Sequence, residues 1–267
     1  MAKRFITSIL GLPVVILLIV MGGMWLRYAL LVVSLIGLYE FYRAVSGRHL
    51  AIHGVGYVFT AVYFSFFLGV DQHTHFLVLL TLFVITAQSC LVVFYKKIAL
   101  MDCIATISGF FYVPFLLSFV FLVRGHEYGT YFVWLIFISS FGSDTSAYLV
   151  GRAFGRRKLT GTPSPGKSWE GVVGGVAGAT AIGAVYGFVI ADYAGMDGLA
   201  MAGYSAVVCF AGAIFSQFGD LFASAVKRHT GIKDFGSLLP GHGGILDRFD
   251  SVIVTAPVVY IVMVVLV

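Results

Sequence analysis

The chain has 267 residues, of which 60% are hydrophobic and only 11% are charged, with a net charge of +5. A soluble domain is about 25% charged, and surface-to-volume scaling leaves too little interior to bury this much apolar side chain in water. Because the apolar runs also lack the alternation of a membrane β-barrel, the composition predicts an all-α, polytopic transmembrane helical bundle.

About nine apolar runs are long enough to cross a hydrocarbon core about 30 Å thick as α-helices. In chain order we predict spans at residues 6–21, 25–42, 55–70, 75–95, 98–123, 131–150, 172–191, 199–225 and 251–267. The first five form an N-terminal group at 1–125. The rest form a catalytic region at 126–267, with polar loops at 151–171 and 226–250.

The basic residues predict the orientation of these spans. With the N-terminus in the cytoplasm, only Arg27 and Arg124 of the 17 Lys and Arg residues fall on the external side. Cytoplasmic loops carry an excess of Lys and Arg, so this partition supports both the number of spans and the orientation. We expect an integral protein of a bacterial-type cytoplasmic (inner) membrane, with both long polar loops facing the cytoplasm.

The most polar stretch of the chain lies between the last two apolar runs and reads SAVKRHTGIKDFGSLLPGHGGILDRFD at 224–250. It combines basic side chains, carboxylates, two histidines and a Gly-Gly pair. Lys and Arg bind phosphate oxygens, and glycines let the backbone approach a phosphate closely. Carboxylates hold Mg²⁺, which usually keeps substrate phosphates among its other ligands. The stretch therefore predicts a polyphosphate-and-metal site at a membrane surface.

Carboxylates inside or next to the spans are the strongest candidates for this site. Asp144 lies within the sixth span and Asp220 within the eighth, where a charge is costly and by default marks a functional site. The alternative interpretation of both is structural: a buried, hydrogen-bonded Asp or an Asp–Arg pair that locks two helices together. Asp247 and Asp250 lie three residues apart at the start of the last span, where helix capping is the alternative. Carboxylates that converge from different helices on a metal are common in helical bundles.

Two further features have mainly structural interpretations. The glycines within 172–191 favour close contacts between neighbouring helices, as small residues do in membrane proteins. Glu40 lies near Arg43 at the end of the second span, and it is interpreted as a surface ion pair or a helix anchor.

Three motifs carry a resemblance to a known family. They read S-x-V-K-R-x₄-K-D-x-G-x₂-L-P-x-H-G-G-I-x-D-R-F-D at 224–250, S-D-T-x-A-Y-x-x-G-R at 143–152 and S-P-G-K-S-W-E-G at 164–171. Together they resemble the phosphatidate cytidylyltransferases, or CDP-diacylglycerol synthases. That family often has Lys in place of Gly166 and Thr in place of Ser168. The first five spans match the family by hydropathy alone.

The resemblance implies that CTP and phosphatidate react to give CDP-diacylglycerol and pyrophosphate. It also implies Mg²⁺, as a single ion or as a pair, and a homodimer in the lipid bilayer; no nucleic acid is expected as a partner. The phosphatidate oxygen would attack the α-phosphorus of CTP. A phosphate monoester is already a nucleophile near neutral pH, since its second pKa is about 6.

Under this resemblance each candidate residue receives a role. Asp220 and Asp247 are the expected primary metal ligands, with Asp144 and Asp250 as further ligands or their supports. The expected catalytic residues are Asp144, Asp220, Asp247, His242 and Lys227, where His242 either protonates the departing pyrophosphate or only binds it. The expected substrate-binding residues suit phosphate groups and are Ser164, Lys167, Ser224, Arg228, Lys233, Gly243, Gly244 and Arg248.

Two other functions are alternatives at this stage. A CTP-dependent lipid kinase would use similar groups but direct the attack to the γ-phosphorus. A transporter or channel would use the intramembrane carboxylates to carry ions, but it is expected to show matched interrupted helices in two halves. The motifs of this chain fall in one half.

Overall fold

The computed structural model describes residues 2–45, 50–69, 73–238 and 243–266. Within these ranges the chain forms nine helices, and the all-α fold class is confirmed. They are α1 (Ala2–Met21), α2 (Gly23–Val45), α3 (Leu50–Val62, extended by a π-helical turn at Tyr63–Phe67), α4 (His73–Val93), α5 (Leu100–Gly125), α6 (Gly129–Phe154), α7 (Trp169–Ala194), α8 (Gly198–His229) and α9 (Leu246–Leu266). Each predicted span coincides with one helix; residues 70 and 267, which end two of the spans, lie outside the described ranges.

Seven of the described helices, α2 and α4 to α9, are long and apolar enough to cross a membrane. The described apolar part of α3, Ile52–Phe67, is shorter. Large apolar side chains on these helices are widely exposed; Val92, Leu199 and Val265 are each 77–78% exposed. Such surfaces suit contact with lipid chains, and the protein is an integral membrane protein.

The chain divides into two compact units. Unit 1 consists of Met1–Leu122 together with Thr230–Arg248, and unit 2 consists of Val123–His229 together with Phe249–Val267. The polar connector that follows α8 therefore belongs to the same unit as the N-terminal helices.

Aromatic side chains form the interior of unit 1. The Tyr42 hydroxyl donates to the carbonyl oxygen of Thr106 at 3.0 Å, and its ring stacks on His53 with the centroids 4.4 Å apart. Phe110 and Phe83 are fully buried, with their ring centroids 4.7 Å apart. These contacts hold together helices α2, α3, α4 and α5.

Glycines on α7 hold unit 2 together. A Cβ atom on Gly183 would lie 2.5 Å from Sγ of Cys209 on α8, and one on Gly175 would lie 2.9 Å from the carbonyl oxygen of Ser143 on α6. There is no room for a side chain at either glycine of α7, so the predicted close contacts of α7 with α6 and α8 are confirmed.

Polar side chains add cross-links between the same helices. Gln217 on α8 donates through Nε2 to the carbonyl oxygen of Val172 at 3.0 Å and to Oγ of Ser143 at 3.3 Å. Ser140 on α6 donates to Oγ1 of Thr255 on α9 at 3.2 Å. Helices α6, α7, α8 and α9 are thereby fixed around the polar residues of unit 2.

Candidate functional site

A cavity of about 480 Å³ opens in unit 2 where α6, α8 and the loop before α7 meet. Its charged and polar lining groups are Asp144, Tyr148, Arg152, Lys158, Ser164, Lys167, Ser168, Gln217 and Asp220. Sites for small molecules usually measure about 300–1,000 Å³, so the volume suits a ligand of ordinary size. Cations beside carboxylates favour a polyanionic ligand that arrives with a metal ion.

An ion pair lies at the wall of this cavity. Nζ of Lys167 is 2.6 Å from Oδ2 of Asp220, and the two side chains are 27% and 29% exposed. Asp144 interacts electrostatically with both of them. One lysine thus offsets part of the charge of two carboxylates while it stays accessible from the cavity.

The loop before α7 presents Lys167 through backbone hydrogen bonds. The N–H of Leu159 donates to the carbonyl oxygen of Lys167 at 2.9 Å, so the loop folds back on itself. Glu170, in the first turn of α7, accepts the backbone N–H groups of Arg156 at 3.1 Å and Arg157 at 3.2 Å. The loop is therefore tied to a helix end, and the position of Lys167 is set by the backbone.

Ser168 joins this loop to α7 and also contacts the end of α6. Its Oγ accepts the N–H of Gly171 at 3.2 Å, which is an N-cap hydrogen bond. A Cβ atom on Gly155 would lie 2.7 Å from this oxygen, and one on Gly151 would lie 3.1 Å from it. The glycines at the end of α6 let the loop approach closely.

Asp250, near the start of α9, lies close to the same carboxylates. It is 8% exposed, and it interacts electrostatically with Asp220, Lys227 and Asp144. A Cβ atom on Gly219 would lie 2.9 Å from the backbone oxygen of Asp250, so α9 approaches α8 closely here. Three of the four predicted metal ligands thus lie within electrostatic reach of one another.

The available side-chain donors fit a metal ion whose coordination shell is completed by substrate oxygens. In the described part of the chain, no three His, Cys, Asp or Glu side chains are grouped as a metal site of their own. Mg²⁺ is usually held by one or two carboxylates plus substrate phosphates, and it keeps several water molecules. The carboxylates of Asp144 and Asp220, which line one cavity with phosphate-binding cations, suit this kind of coordination.

Asp247 lies in unit 1 and organises the connector backbone. Its Oδ2 accepts the N–H groups of Phe235 and Gly244, each at 2.9 Å. Gly243, next to this contact, has a φ of 81°, which favours glycine over any other residue. Both donors precede helix α9, so these hydrogen bonds order the connector, and the role of Asp247 as a metal ligand stays a prediction.

The structure thus brings only some of the predicted residues together at the unit 2 cavity. Asp144, Ser164, Lys167 and Asp220 line it. Along α8 beyond Asp220, Ser224 and Lys227 are half-buried and Arg228 is exposed; none of the three is a lining residue. Asp250 belongs to unit 2 and is not a lining residue. Unit 1 contains the other predicted residues, with exposed side chains at Lys233 and Arg248. His242 lies outside the described residues.

Five polar lining residues were not assigned to the site from the sequence: Tyr148, Arg152, Lys158, Ser168 and Gln217. Gln217 precedes Asp220 by three residues, so the two share one face of α8. That spacing was the available signal. For the two cations the signal was only that they belong to the basic loop at 151–171.

The chain matches the cytidylyltransferase family over residues 2–266. It is 42% identical over 153 residues to the phosphatidate cytidylyltransferase of Thermotoga maritima, an alignment that covers 57% of this chain and 55% of that protein. It is 40% identical over 130 residues to the protein of the same name in Haemophilus influenzae, covering 49% and 44%. The chain therefore spans about half the length of these curated relatives.

A third relative aligns from end to end. The phosphatidate cytidylyltransferase of Staphylococcus haemolyticus is 29% identical to this chain over 269 aligned residues, which cover 99% of each protein. Since the family match also extends over nearly all of its length, the chain belongs to the cytidylyltransferase family.

Proposed function

We propose that this protein is a phosphatidate cytidylyltransferase, which forms CDP-diacylglycerol and pyrophosphate from CTP and phosphatidate. The observation that carries the proposal is the unit 2 cavity, where Lys167 pairs with Asp220 beside Asp144 in a chain of the cytidylyltransferase family. The names of the aligned relatives support the same activity.

The charges of the cavity suit the phosphates of CTP. Arg152, Lys158 and Lys167 supply positive charge at its wall, and Ser164 supplies a hydroxyl donor. Arg binds phosphate with a planar fork and Lys as a point charge, so together they hold a triphosphate without demanding one fixed geometry. Phosphatidate keeps its acyl chains in lipid, which the exposed apolar helix surfaces contact.

The reaction needs positioning and charge stabilisation more than it needs a base. The phosphate of phosphatidate is largely doubly charged at neutral pH, because its second pKa is about 6. Its oxygen attacks the α-phosphorus, a bond to this phosphorus forms, and the bond to the pyrophosphate oxygen breaks. Lys167, oriented by Asp220, stabilises the negative charge that develops on the phosphates.

The carboxylates of unit 2 would hold Mg²⁺, as a single ion or as a pair. Asp144 and Asp220 line the cavity, and Asp250 lies close to them. The sequence predicts Asp220 and Asp247 as the primary ligands, with Asp144 and Asp250 as further ligands or their supports. When bound, the metal neutralises phosphate charge and makes the α-phosphorus more electrophilic.

The proposal also includes the arrangement in the membrane. Nine spans with a cytoplasmic N-terminus are supported by the nine described helices and by the basic residues, of which only Arg27 and Arg124 fall outside under this arrangement. The membrane would be a bacterial cytoplasmic membrane and the protein a homodimer, with CTP reaching the site from the cytoplasm.

The deciding experiment uses the purified protein in detergent with Mg²⁺, phosphatidate and CTP labelled at either the α- or the γ-phosphorus. We expect the α-label to move into the lipid fraction as CDP-diacylglycerol and the γ-label to leave as pyrophosphate. A parallel reaction contains diacylglycerol in place of phosphatidate, and transfer of the γ-label to this lipid alcohol would instead show a kinase. No lipid labelling from either CTP would contradict the proposal.

A further inference from the structure

We propose that Glu40, on helix α2, is a positioning residue for the connector at Thr230–Arg248, which includes the first residues of α9. It holds the described parts of that connector, residues 230–238 and 243–248, in place. The catalytic part of this inference rests on the proposed function, because the family resemblance implies that Gly243, Gly244 and Arg248 of that connector bind phosphate. The structural part rests on contacts within unit 1.

Glu40 caps the start of α9 with both carboxylate oxygens. Its Oε2 accepts the N–H of Leu246 at 2.8 Å and its Oε1 accepts the N–H of Ile245 at 3.1 Å. The first N–H groups of a helix have no partner within the helix, and a negative charge is favoured there by the helix dipole. Glu40 is only 4% exposed, so these hydrogen bonds compensate a carboxylate that water barely reaches.

Two glycines of the connector approach the same carboxylate. A Cβ atom on Gly236 or on Gly244 would overlap the oxygens of Glu40. Any other residue at either position would have to displace the carboxylate or the backbone that it binds. The side chain of Glu40 thus explains why glycine occupies two positions of the motif at 224–250.

A second carboxylate completes the arrangement from within the connector. Asp247 accepts two further N–H groups through one oxygen, so Glu40 and Asp247 together bind four backbone donors of the connector: Phe235, Gly244, Ile245 and Leu246. A neutral side chain at Glu40 would leave a buried donor without an acceptor, which favours rearrangement of the connector. Glu40 therefore acts on the reaction through the groups that it orders.

The first test compares Glu40→Gln with Asp102→Asn. Asp102 is a matched control because it is 3% exposed and accepts the N–H of Ala99 at 2.9 Å at the start of α5 in the same unit. Loss of a supporting hydrogen-bond partner typically lowers activity by about 10- to 100-fold. We expect Glu40→Gln to lower kcat/KM for CTP by that factor per folded molecule. Asp102→Asn should lower the melting temperature and leave kcat/KM near the wild-type value.

The second test does not depend on catalysis. Ser237, exposed in the connector, is replaced by Cys in a chain that lacks Cys90, Cys103 and Cys209, and its rate of maleimide labelling is measured. We expect Glu40→Gln to accelerate labelling and Asp102→Asn to leave it unchanged. If the wild type proves inactive with CTP, this rate still decides whether Glu40 orders the connector.

A third comparison approaches the contact from the connector side and covers the case in which Glu40→Gln fails to fold. Gly236→Ala adds a Cβ against Glu40, whereas Gly54→Ala, on α3 in the same unit, adds one with no atom within 4 Å. We expect Gly236→Ala alone to accelerate labelling and lower kcat/KM. In a Glu40→Ala background its further effect should largely vanish, because both changes act on one contact.

Two outcomes overturn the proposal. An unchanged labelling rate in both Glu40→Gln and Gly236→Ala would show that Glu40 does not order the connector. Faster labelling with kcat/KM at the wild-type level, in a protein that is active with CTP, would show that the order it provides has no effect on catalysis.

Discussion

At the scale of single residues, Lys167 and Arg157 lie in the same loop but have different surroundings. Lys167 lines the cavity and contacts Asp220, whereas Arg157 is exposed and its backbone N–H is held by Glu170. We expect Lys167→Ala to lower kcat/KM for CTP by about 100- to 1,000-fold, as loss of a positioned charge-stabilising group does. Arg157→Ala should stay near wild type in the same initial-rate measurements. Equal, minor losses in both variants would exclude Lys167 as a substrate contact.

The aspartates of the two units are expected to respond differently to the same substitution. The ion pair of Asp220 is partly exposed, and such pairs contribute roughly 0–1 kcal/mol to stability. Asp247 accepts two backbone hydrogen bonds, so it contributes to the folding of the connector as well. We therefore expect Asp220→Asn to lose about 100-fold or more in turnover with little change in melting temperature, and Asp247→Asn to lose both turnover and stability.

The measurement is turnover against Mg²⁺ concentration, alongside thermal unfolding in detergent. Asp192→Asn, an exposed aspartate near the end of α7, is the control for the chemical change itself. Near-normal turnover of either Asp220→Asn or Asp247→Asn at ordinary Mg²⁺ would remove that residue from the metal site.

The chemistry of each site residue decided whether the sequence predicted it. Asp144 and Asp220 were predictable because a charge inside a span is costly. Gln217 was missed because a neutral amide in a helix carries no such penalty. Glu40 was interpreted from its neighbour Arg43, yet it is buried, and its acceptor contact to Ile245 lies 205 residues along the chain. Because its partners are backbone N–H groups, no residue type in the sequence indicates the contact.

At the scale of elements, helix existence was predictable and helix ends were less so. An apolar run marks the part of a helix that faces lipid, whereas the hydrogen-bonded helix continues into polar residues. Helix α8 was predicted at 199–225 and extends to His229. The last apolar span was predicted from residue 251, with Asp247 and Asp250 in a first helical turn before it. Helix α9 begins at Leu246, where Glu40 accepts the first N–H group.

The glycines of α7 give a prediction about helix packing. A Cβ atom on Gly187 would lie 2.5 Å from the backbone oxygen of Met201 on α8, and a backbone atom yields only if the helix shifts. We expect Gly187→Ala to destabilise the protein by about 1–3 kcal/mol, as overpacking does. Gly203→Ala, on α8, is the control, since its Cβ would have nothing within 4 Å. Thermal unfolding in detergent measures both, and an equal melting temperature would contradict the close α7–α8 contact.

At the scale of the whole molecule, the division into units does not follow chain order. The sequence predicted a division near residue 125, whereas the connector at Thr230–Arg248 belongs to unit 1 with the N-terminal helices. Hydropathy and motif spacing describe residues that are neighbours along the chain. They therefore do not predict contacts between segments that are far apart in the sequence. The first five helices carry no family motif. They belong to the same unit as most of the longest motif, the one at 224–250.

The arrangement in the membrane can be tested on the loops at both sides. Nine spans with a cytoplasmic N-terminus place Thr160 and Thr230 inside the cell and Glu127 outside, and they leave only Arg27 and Arg124 of the 17 basic residues outside. Because Lys and Arg are retained on the cytoplasmic side during insertion, a change in span number would mix the two groups.

In a chain without Cys90, Cys103 and Cys209, we expect Thr160→Cys and Thr230→Cys to react with a membrane-impermeant thiol reagent only after the cell is opened. Glu127→Cys, the control, should react in intact cells. Labelling of either threonine position from outside would contradict the nine-span arrangement. Labelling of Thr160→Cys from outside would also separate the cations that line the cavity from cytosolic CTP, because Lys158 and Lys167 lie on the same loop.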